Sequence, residues 1–208
     1  MWRNEGWFLK RILNILATIL LITGMGLVIY SLTEIFKGEQ EVKKARAEAE
    51  EILQQQPDEK TKKEKLTADD FHFAVGDTIG LLYIPKLDRD LPIIEGTNPE
   101  ELDRGVGHYL GTAFPGQKDQ IVLSGHRDTV FRNFDQLVIG DTFVLKLPYG
   151  TFEYEIFDTE IVSADDTTVI RSTAPEEILT VTTCYPFYFI GNAPDRFIFY
   201  AKPVDENS

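Results

Sequence analysis

The pattern of apolar and polar positions divides the chain into three parts, and the first is a long apolar run. Residues 12–30 read ILNILATILLITGMGLVIY, without a charged side chain. A helix rises about 1.5 Å per residue, so this run nearly crosses a hydrocarbon core of about 30 Å. Arg3, Lys10 and Arg11 precede it. The positive-inside bias then predicts a single span with a cytoplasmic N-terminus and the remaining chain outside the cell.

A cleaved signal peptide and a buried helix of a soluble protein are the alternatives to a membrane span. The run is longer than the apolar region of a usual signal peptide, and no A-x-A-like cleavage site follows it. We therefore predict an uncleaved anchor in residues 1–36, placing the protein in the cell membrane.

A charged segment follows over residues 37–65. It holds eight basic and eight acidic residues and no aromatic residue. Its composition favours helix, but no apolar stripe is wide enough to pack on another element. The pattern predicts a solvated stalk without chemistry of its own, with Pro57 ending its helix.

The third part, residues 66–208, has the pattern of a β domain. Short runs rich in Val, Ile, Phe and Thr recur between turn residues. Ile156 and Phe157 interrupt an alternation of apolar and acidic residues, as a β-bulge does. Many short strands with few helices predict a closed or nearly closed β-barrel. Six strands are expected, at residues 80–84, 121–124, 142–147, 151–162, 178–183 and 196–201.

One short helix is predicted between these strands. Asn98 can cap it, Pro99 suits its first turn, and Glu101 completes a capping box. The predicted fold class is therefore mainly β with short helices, preceded by the membrane helix and the stalk.

Composition narrows the possible functions. With 21 basic and 34 acidic residues, the formal charge is −13. A nucleic-acid-binding protein needs a basic face, so no nucleic-acid partner is expected. The single cysteine excludes an internal disulfide and a cysteine-rich zinc site, and three histidines leave little for a histidine metal centre. We expect no metal site and no cofactor, and the sequence leaves calcium dependence open.

Cys184 and His126 are the first candidates for chemistry, because each ends an apolar run. Cys184 is followed by Tyr185 and Pro186, so its strand should stop there. A thiol at a strand end can reach a cleft, although most free cysteines are small buried hydrophobes. His126 follows Gly125, and a histidine beside a thiol can accept its proton and later protonate a leaving amine.

Other interpretations of the histidines stay open. His126 could simply bond Asp128 in a polar turn. His108 is a rival for the same role, but its glycine-rich stretch contains no predicted strand to fix it. His72 adjoins the stalk, and we expect a structural or incidental role for it.

Arg196 is the third candidate, at the start of the last predicted strand. If that strand pairs antiparallel with the strand ending at Cys184, the guanidinium lies near the thiol. There it can hold a substrate carbonyl and stabilise a developing oxyanion. A salt bridge to Asp195 or to another acidic residue is the alternative.

Taken together, the motifs resemble those of sortases, the membrane-anchored transpeptidases of Gram-positive cell surfaces. TVTTC at residues 180–184 resembles the family's TLxTC motif, with Val181 in place of the usual leucine. GHRDT at residues 125–129 is similar to the histidine motif, and Arg196 falls where the catalytic arginine is expected. TCYPF at 183–187 and APDRF at 193–197 are similar to class D sortases in particular.

The resemblance implies an eight-stranded sortase β-barrel with His126, Cys184 and Arg196 as catalytic residues. Cys184 would cleave an LPxT-type sorting signal after Thr and form a thioacyl enzyme. The surface protein would then be joined to an amine of the peptidoglycan stem peptide or of its lipid-linked precursor. Val181 and Thr183 are the residues expected to bind the sorting signal.

Two other function classes stay open at this point. A membrane-anchored cysteine protease of papain type would place its cysteine at the start of a helix and orient its histidine with Asn or Asp. A non-catalytic surface-binding domain would contain an inert cysteine, and its function would survive Cys184→Ala.

Overall fold

The computed structural model describes residues 5–54, 66–189 and 191–204. Arg3 and Pro57 lie outside these residues, so the expectations attached to them stay predictions. The same holds for residues 55–65 of the expected stalk. The chain divides into two compact units, residues 1–40 and residues 41–208.

The first unit is the apolar part of a long helix, α1 (Glu5–Gln54). Among the described residues, α1 is the one helix long and apolar enough to cross a membrane, by length and composition. The hydroxyls of Thr18 and Thr23 donate to the carbonyl oxygens of Asn14 and Ile19, at 2.8 and 2.9 Å. Polar groups bonded within the helix suit a hydrocarbon environment. These features are consistent with the expected anchor.

The second unit contains a closed barrel of eight strands, which confirms the predicted fold class. The order around the barrel is β1-β2-β3-β4-β7-β8-β6-β5, and β5 pairs with β1. The pairs β2–β3 and β4–β7 are parallel. The strands are β1 (Thr78–Ile84), β2 (Arg89–Glu95), β3 (Val106–His108), β4 (Gln120–Gly125), β5 (Thr142–Leu147), β6 (Gly150–Ser163), β7 (Ile178–Tyr185) and β8 (Asp195–Pro203).

All six predicted strands are present, together with two of the predicted local features. The register of β6 against β8 shifts between Ile156 and Asp158, which is the expected bulge. The short helix α2 (Pro99–Arg104) begins after Asn98, whose backbone N–H donates to Glu101 Oε2 at 2.8 Å. Strands β2 and β3 were not predicted from the sequence.

The part of α1 from residue 41 onward differs from the expected solvated stalk. Ala45 and Ala49 are buried within the second unit. The Glu48 carboxylate accepts hydrogen bonds from the Thr78 hydroxyl at 2.9 Å and from Arg104 at 3.2 Å. Small alanines let a helix pack closely without a wide stripe of large apolar residues, so the sequence pattern gave no signal of this contact. The boundaries at residues 36 and 65 stay predictions.

The barrel interior holds the segment that follows β4. The rings of Phe131 and Phe134 stack with centroids 4.0 Å apart, and Phe199 of β8 meets Phe134 edge-on at 5.9 Å. All three side chains are fully buried, and burying each stabilises the fold by about 2–3 kcal/mol. The Phe131 N–H also donates to the carbonyl of His126 at 3.0 Å. The core therefore fixes the backbone at His126.

Candidate active site

Cys184 and Arg196 are direct partners across the antiparallel pair β7–β8. Side chains of directly opposite residues lie on the same face, with Cβ atoms about 5 Å apart. Both side chains are partly exposed, whereas the neighbours Val181 and Phe199 on the other face fill the core. The strands therefore present the thiol and the guanidinium together on the outer face of the barrel.

His126 follows β4 directly, on the other side of β7. The pair β4–β7 is parallel, and its last register position joins Gly125 to Thr183. The next residues along the chain are His126, just past the end of β4, and Cys184 of β7, and neighbouring strands lie about 4.8 Å apart. The Thr183 hydroxyl donates to the Gly125 carbonyl at 2.9 Å, so the two strand ends are tied together.

Gly125 has a packing reason to be glycine. A Cβ atom there would lie 2.6 Å from Phe131 Cε2 and 2.9 Å from Val130 Cγ2, closer than packed carbon atoms can approach. The backbone can thus run directly over the buried ring before it reaches His126. This is why a glycine precedes the histidine in the sequence.

The imidazole of His126 is 44% exposed and contacts one carboxylate. Its Nε2 lies 3.9 Å from Asp103 Oδ1 of α2. The Asp128 side chain, offered above as an alternative partner, instead approaches Arg127 Nε at 3.5 Å. The accessible imidazole can exchange protons with a bound substrate, as a general acid and base must.

The guanidinium of Arg196 donates hydrogen bonds to main-chain carbonyls at the start of β8. Its Nη1 donates to the carbonyls of Asp195 at 3.0 Å and Ala193 at 3.4 Å. The contact to Asp195 is therefore with its backbone and not the salt bridge considered as an alternative. A planar guanidinium held in this way retains further N–H donors for a substrate oxygen.

The other two predicted site residues, Val181 and Thr183, are buried, and their substrate-binding role stays a prediction. Val181 is fully buried and Thr183 is 2% exposed. Both lie on the opposite face of β7 from Cys184, because side chains alternate along a strand. Val181 packs in the core, and the Thr183 hydroxyl donates to the Gly125 carbonyl.

The remaining histidines have other surroundings. His108 lies on β3 and is buried, which corrects the expectation that no strand fixes it. His72 is exposed. Cys184 lies on a strand and not at the start of a helix, so the arrangement expected of a papain-type protease is absent from the described part of the chain.

Sequence reasoning missed Asp103 and Arg127 at this end of the barrel. Asp103 lies on a helix remote in sequence from His126, and no motif links the two. Arg127 adjoins the histidine but is almost fully buried, which its residue type does not suggest. Within residues 5–54, 66–189 and 191–204, no group of three His, Cys, Asp or Glu side chains could hold a metal ion.

Comparison with known proteins identifies the family. A sortase domain matches residues 82–204. Sortase D of Bacillus subtilis is 44% identical over 168 residues, covering 81% of this chain and 85% of that protein. A Streptomyces coelicolor sortase, SrtE1, is 34% identical over 152 residues, covering 64% of this chain and 42% of that protein.

Solved structures give the same result. The structure of a Clostridium perfringens sortase D5 transpeptidase superposes with a TM-score of 0.67 at 30% identity, covering 79% of this chain and 99% of that one. Sortase C from Clostridium perfringens SM101 gives 0.58 at 26% identity, covering 83% of this chain and 90% of that one. This chain belongs to the sortase family of transpeptidases and is similar to its class D members.

Proposed function

We propose that the protein cleaves LPxT-type sorting signals after Thr and joins the released surface protein to an amine of the cell wall. Sortases act on surface proteins that carry sorting signals and on peptidoglycan. The acceptor in this proposal is the peptidoglycan stem peptide or its lipid-linked precursor. The observation that carries the proposal is the cross-strand pairing of Cys184 with Arg196 beside β4, the strand that leads into His126.

In the first step, the Cys184 thiolate attacks the Thr carbonyl carbon and forms a C–S bond. The Arg196 guanidinium donates to the carbonyl oxygen as negative charge develops on it. Protonated His126 gives its proton to the departing amine when the C–N bond breaks, leaving a thioacyl enzyme. The partial exposure of all three side chains supports these roles, since a peptide can reach them.

In the second step, an acceptor amine attacks the thioacyl carbon. Neutral His126 removes a proton from the attacking amine, and Cys184 leaves as thiolate when the C–S bond breaks. The new amide carries the surface protein, and the enzyme returns to its starting charge. Without an acceptor, water would take the place of the amine and release an acid.

The location proposed for this reaction is the outer face of the cell membrane. The uncharged span in α1 and the basic residues Lys10 and Arg11 before it support a single pass with the N-terminus in the cytoplasm. The barrel unit, residues 41–208, would then lie outside, where sorting signals and cell-wall precursors are found.

The proposed mechanism uses no metal or cofactor, because the three side chains supply nucleophile, proton carrier and oxyanion partner. The mechanism therefore predicts that turnover does not depend on calcium, and this can be tested directly. Turnover in excess EDTA should equal turnover in millimolar calcium, and a calcium-dependent rate would overturn this part of the proposal.

The experiment that tests the function uses the full chain in detergent with quenched LPxTG and LPxTA peptides, with and without an amine acceptor. We expect cleavage after Thr and acceptor-dependent ligation, identified by mass spectrometry. Cys184→Ala should abolish both, and His72→Ala, at an exposed position, serves as the matched control. Acid as the product even with a range of cell-wall amines would indicate a hydrolase, and absence of cleavage would contradict the proposed substrate.

A further inference from the structure

Arg127 is a buried cation that binds the backbone of a single segment. Its side chain is 6% exposed. Its Nη1 donates to the carbonyl of Pro186 at 3.3 Å, and its Nη2 donates to the carbonyls of Phe189 and Gly191 at 2.5 and 2.9 Å. All three acceptors lie in residues 186–194, the connection between β7 and β8.

Burying this charged side chain costs free energy, which its contacts must offset. Taking a guanidinium out of water costs several kcal/mol unless charged or polar partners replace the solvent. The carboxylate that approaches it belongs to Asp128, which is 73% exposed and lies 3.5 Å from Nε. The three carbonyls therefore supply the main compensation. A rigid fork of five N–H donors can bind several carbonyls at once, which a lysine ammonium cannot do with the same geometry.

The connection that Arg127 binds joins two residues of the proposed mechanism. It begins two residues after Cys184 and ends two residues before Arg196. The guanidinium of Arg196 donates to the carbonyl of Ala193, at the far end of the same connection, and to that of Asp195, the first residue of β8. A displacement of the connection would therefore move the groups that orient Arg196.

Arg127 also joins this connection to the histidine, since it is the next residue after His126. A second bond runs in parallel from the same segment, because the Tyr188 hydroxyl donates to Asp135 Oδ2 at 2.6 Å. Tyr188 is 81% exposed, so this second bond is open to solvent and weaker. The buried bonds of Arg127 are the firmer hold on the connection.

We propose that Arg127 is a positioning residue for transpeptidation. It holds the β7–β8 connection and thereby fixes the guanidinium of Arg196 beside Cys184, in register with His126. This inference deepens the proposed function and rests on it for the role of Arg196. The hold of Arg127 on the connection is independent of that function and can be measured separately.

The first test measures amide hydrogen exchange in the full chain in detergent. The variants are Arg127→Met, Arg127→Lys and the control Arg171→Met, whose exposed side chain bonds one carbonyl of its own turn. In Arg127→Met, peptides covering residues 187–193 should exchange about tenfold faster or more, with strand β1 unchanged. Arg127→Lys should be intermediate, and Arg171→Met should match the wild type. Unchanged exchange at 187–193 in Arg127→Met would overturn the inference.

If Arg127→Met exchanges rapidly throughout the barrel, Arg127→Lys decides the question. Faster exchange confined to residues 187–193 in that variant supports the local hold. Uniformly faster exchange in both variants shows that Arg127 supports the whole barrel, which contradicts a positioning role.

The second test is a double-mutant cycle with Arg196→Lys, which removes the guanidinium but keeps a charge. Arg127→Met should lower kcat/KM for the LPxT peptide about tenfold or more in the wild type, mainly through kcat, and at most about threefold in Arg196→Lys. Equal effects in both backgrounds would show that Arg127 does not act through Arg196. If the wild type cleaves no LPxT peptide, the proposed function fails and the role through Arg196 fails with it, whereas the exchange test still decides the hold on the connection.

Discussion

His108 ends β3 and His126 directly follows β4, and these two strands pair with each other. The surroundings of the two histidines nevertheless differ. The His108 ring is buried, with Nδ1 2.7 Å from Glu95 Oε2 and Nε2 3.1 Å from the Ala113 carbonyl. His126 is 44% exposed, and its Nε2 lies 3.9 Å from Asp103. A histidine with both nitrogens engaged in the interior holds strands together. One with a loose contact at the surface can pass protons to a substrate.

The less constrained histidine is the one that suits the proposed proton transfer. Its backbone is fixed by the core through Phe131, while its ring stays open to solvent. His108 shows the opposite arrangement, because its ring is also stacked on Phe114 with centroids 4.4 Å apart. The buried ring of His108 is out of reach of a bound substrate, which opposes a role in turnover.

The largest effect on turnover is expected from His126→Ala. Loss of a general acid and base lowers turnover by about 10²–10⁴-fold. Because the ring is exposed and weakly bonded, the free energy of unfolding should change by less than about 0.5 kcal/mol. Peptide cleavage and urea unfolding of the full chain measure the two quantities. Retained turnover, or a large loss of stability, would contradict the assignment of roles.

The opposite result is expected from His108→Ala. This change leaves the buried Glu95 side chain without its hydrogen-bond partner, which costs about 1–3 kcal/mol of unfolding free energy. Turnover per folded molecule should stay within about threefold of the wild type, since no reacting group is removed. Urea unfolding and active-site titration with iodoacetamide supply the two measurements.

A double variant tests whether His108 and Glu95 stabilise the fold as a pair. Removing both partners leaves no unsatisfied buried polar group, so His108→Ala combined with Glu95→Ala should destabilise the fold less than the sum of the two single changes. Additive losses would show that the two side chains stabilise the barrel independently.

Asp119 is another side chain with many hydrogen bonds, and we expect it to stabilise the barrel as His108 does. Backbone N–H groups of Gln120 and Thr173, with others, hold the pKa of this carboxyl below its usual range. A lowered pKa in the folded state stabilises the fold above the unfolded value of about 3.9, and the contribution is lost as the pH falls through the folded value.

Asp119→Asn should therefore be less stable than the wild type at pH 7, and the difference should shrink as the pH falls below about 4. Urea midpoints at pH 7 and pH 3 measure this change. Asp88→Asn, at an exposed position, is the matched control and should show a smaller difference. A difference for Asp119→Asn that stays constant with pH would exclude the proposed electrostatic cause.

The sequence predicted six strands because their apolar and β-branched runs are continuous, and it missed two for identifiable reasons. β2 contains Pro92, which normally argues against a strand inside a sheet. The proline is tolerated because the pairing of β2 with β3 begins only at Ile93. β3 has three residues, one of them glycine, and such a run cannot be told from a loop by pattern.

In the candidate site, too, local sequence patterns predict some features, and long-range contacts determine the others. Cys184, His126 and Arg196 could be found because each adjoins a strand end, and motif order supplied the rest. The contacts of Arg127 depend on the path of the β7–β8 connection, which no local pattern specifies. The burial of Val181 and Thr183 follows from strand alternation counted from Cys184, so it could have been predicted from the sequence.

The smallest expected effect concerns Asp103, whose contact to His126 separates the two histidines most directly. Glu95 and His108 form a buried pair, whereas Asp103 and His126 are 71% and 44% exposed. An exposed ion pair contributes about 0–1 kcal/mol, so Asp103→Asn should change kcat/KM at most about fivefold. The contact is attractive only while the imidazole carries its proton, and salt screens it. The difference from the wild type should therefore disappear in 1 M NaCl, where the screening length is about 3 Å. A loss of tenfold or more that persists in high salt would mean that Asp103 orients His126 by a direct hydrogen bond during turnover, as Glu95 holds His108.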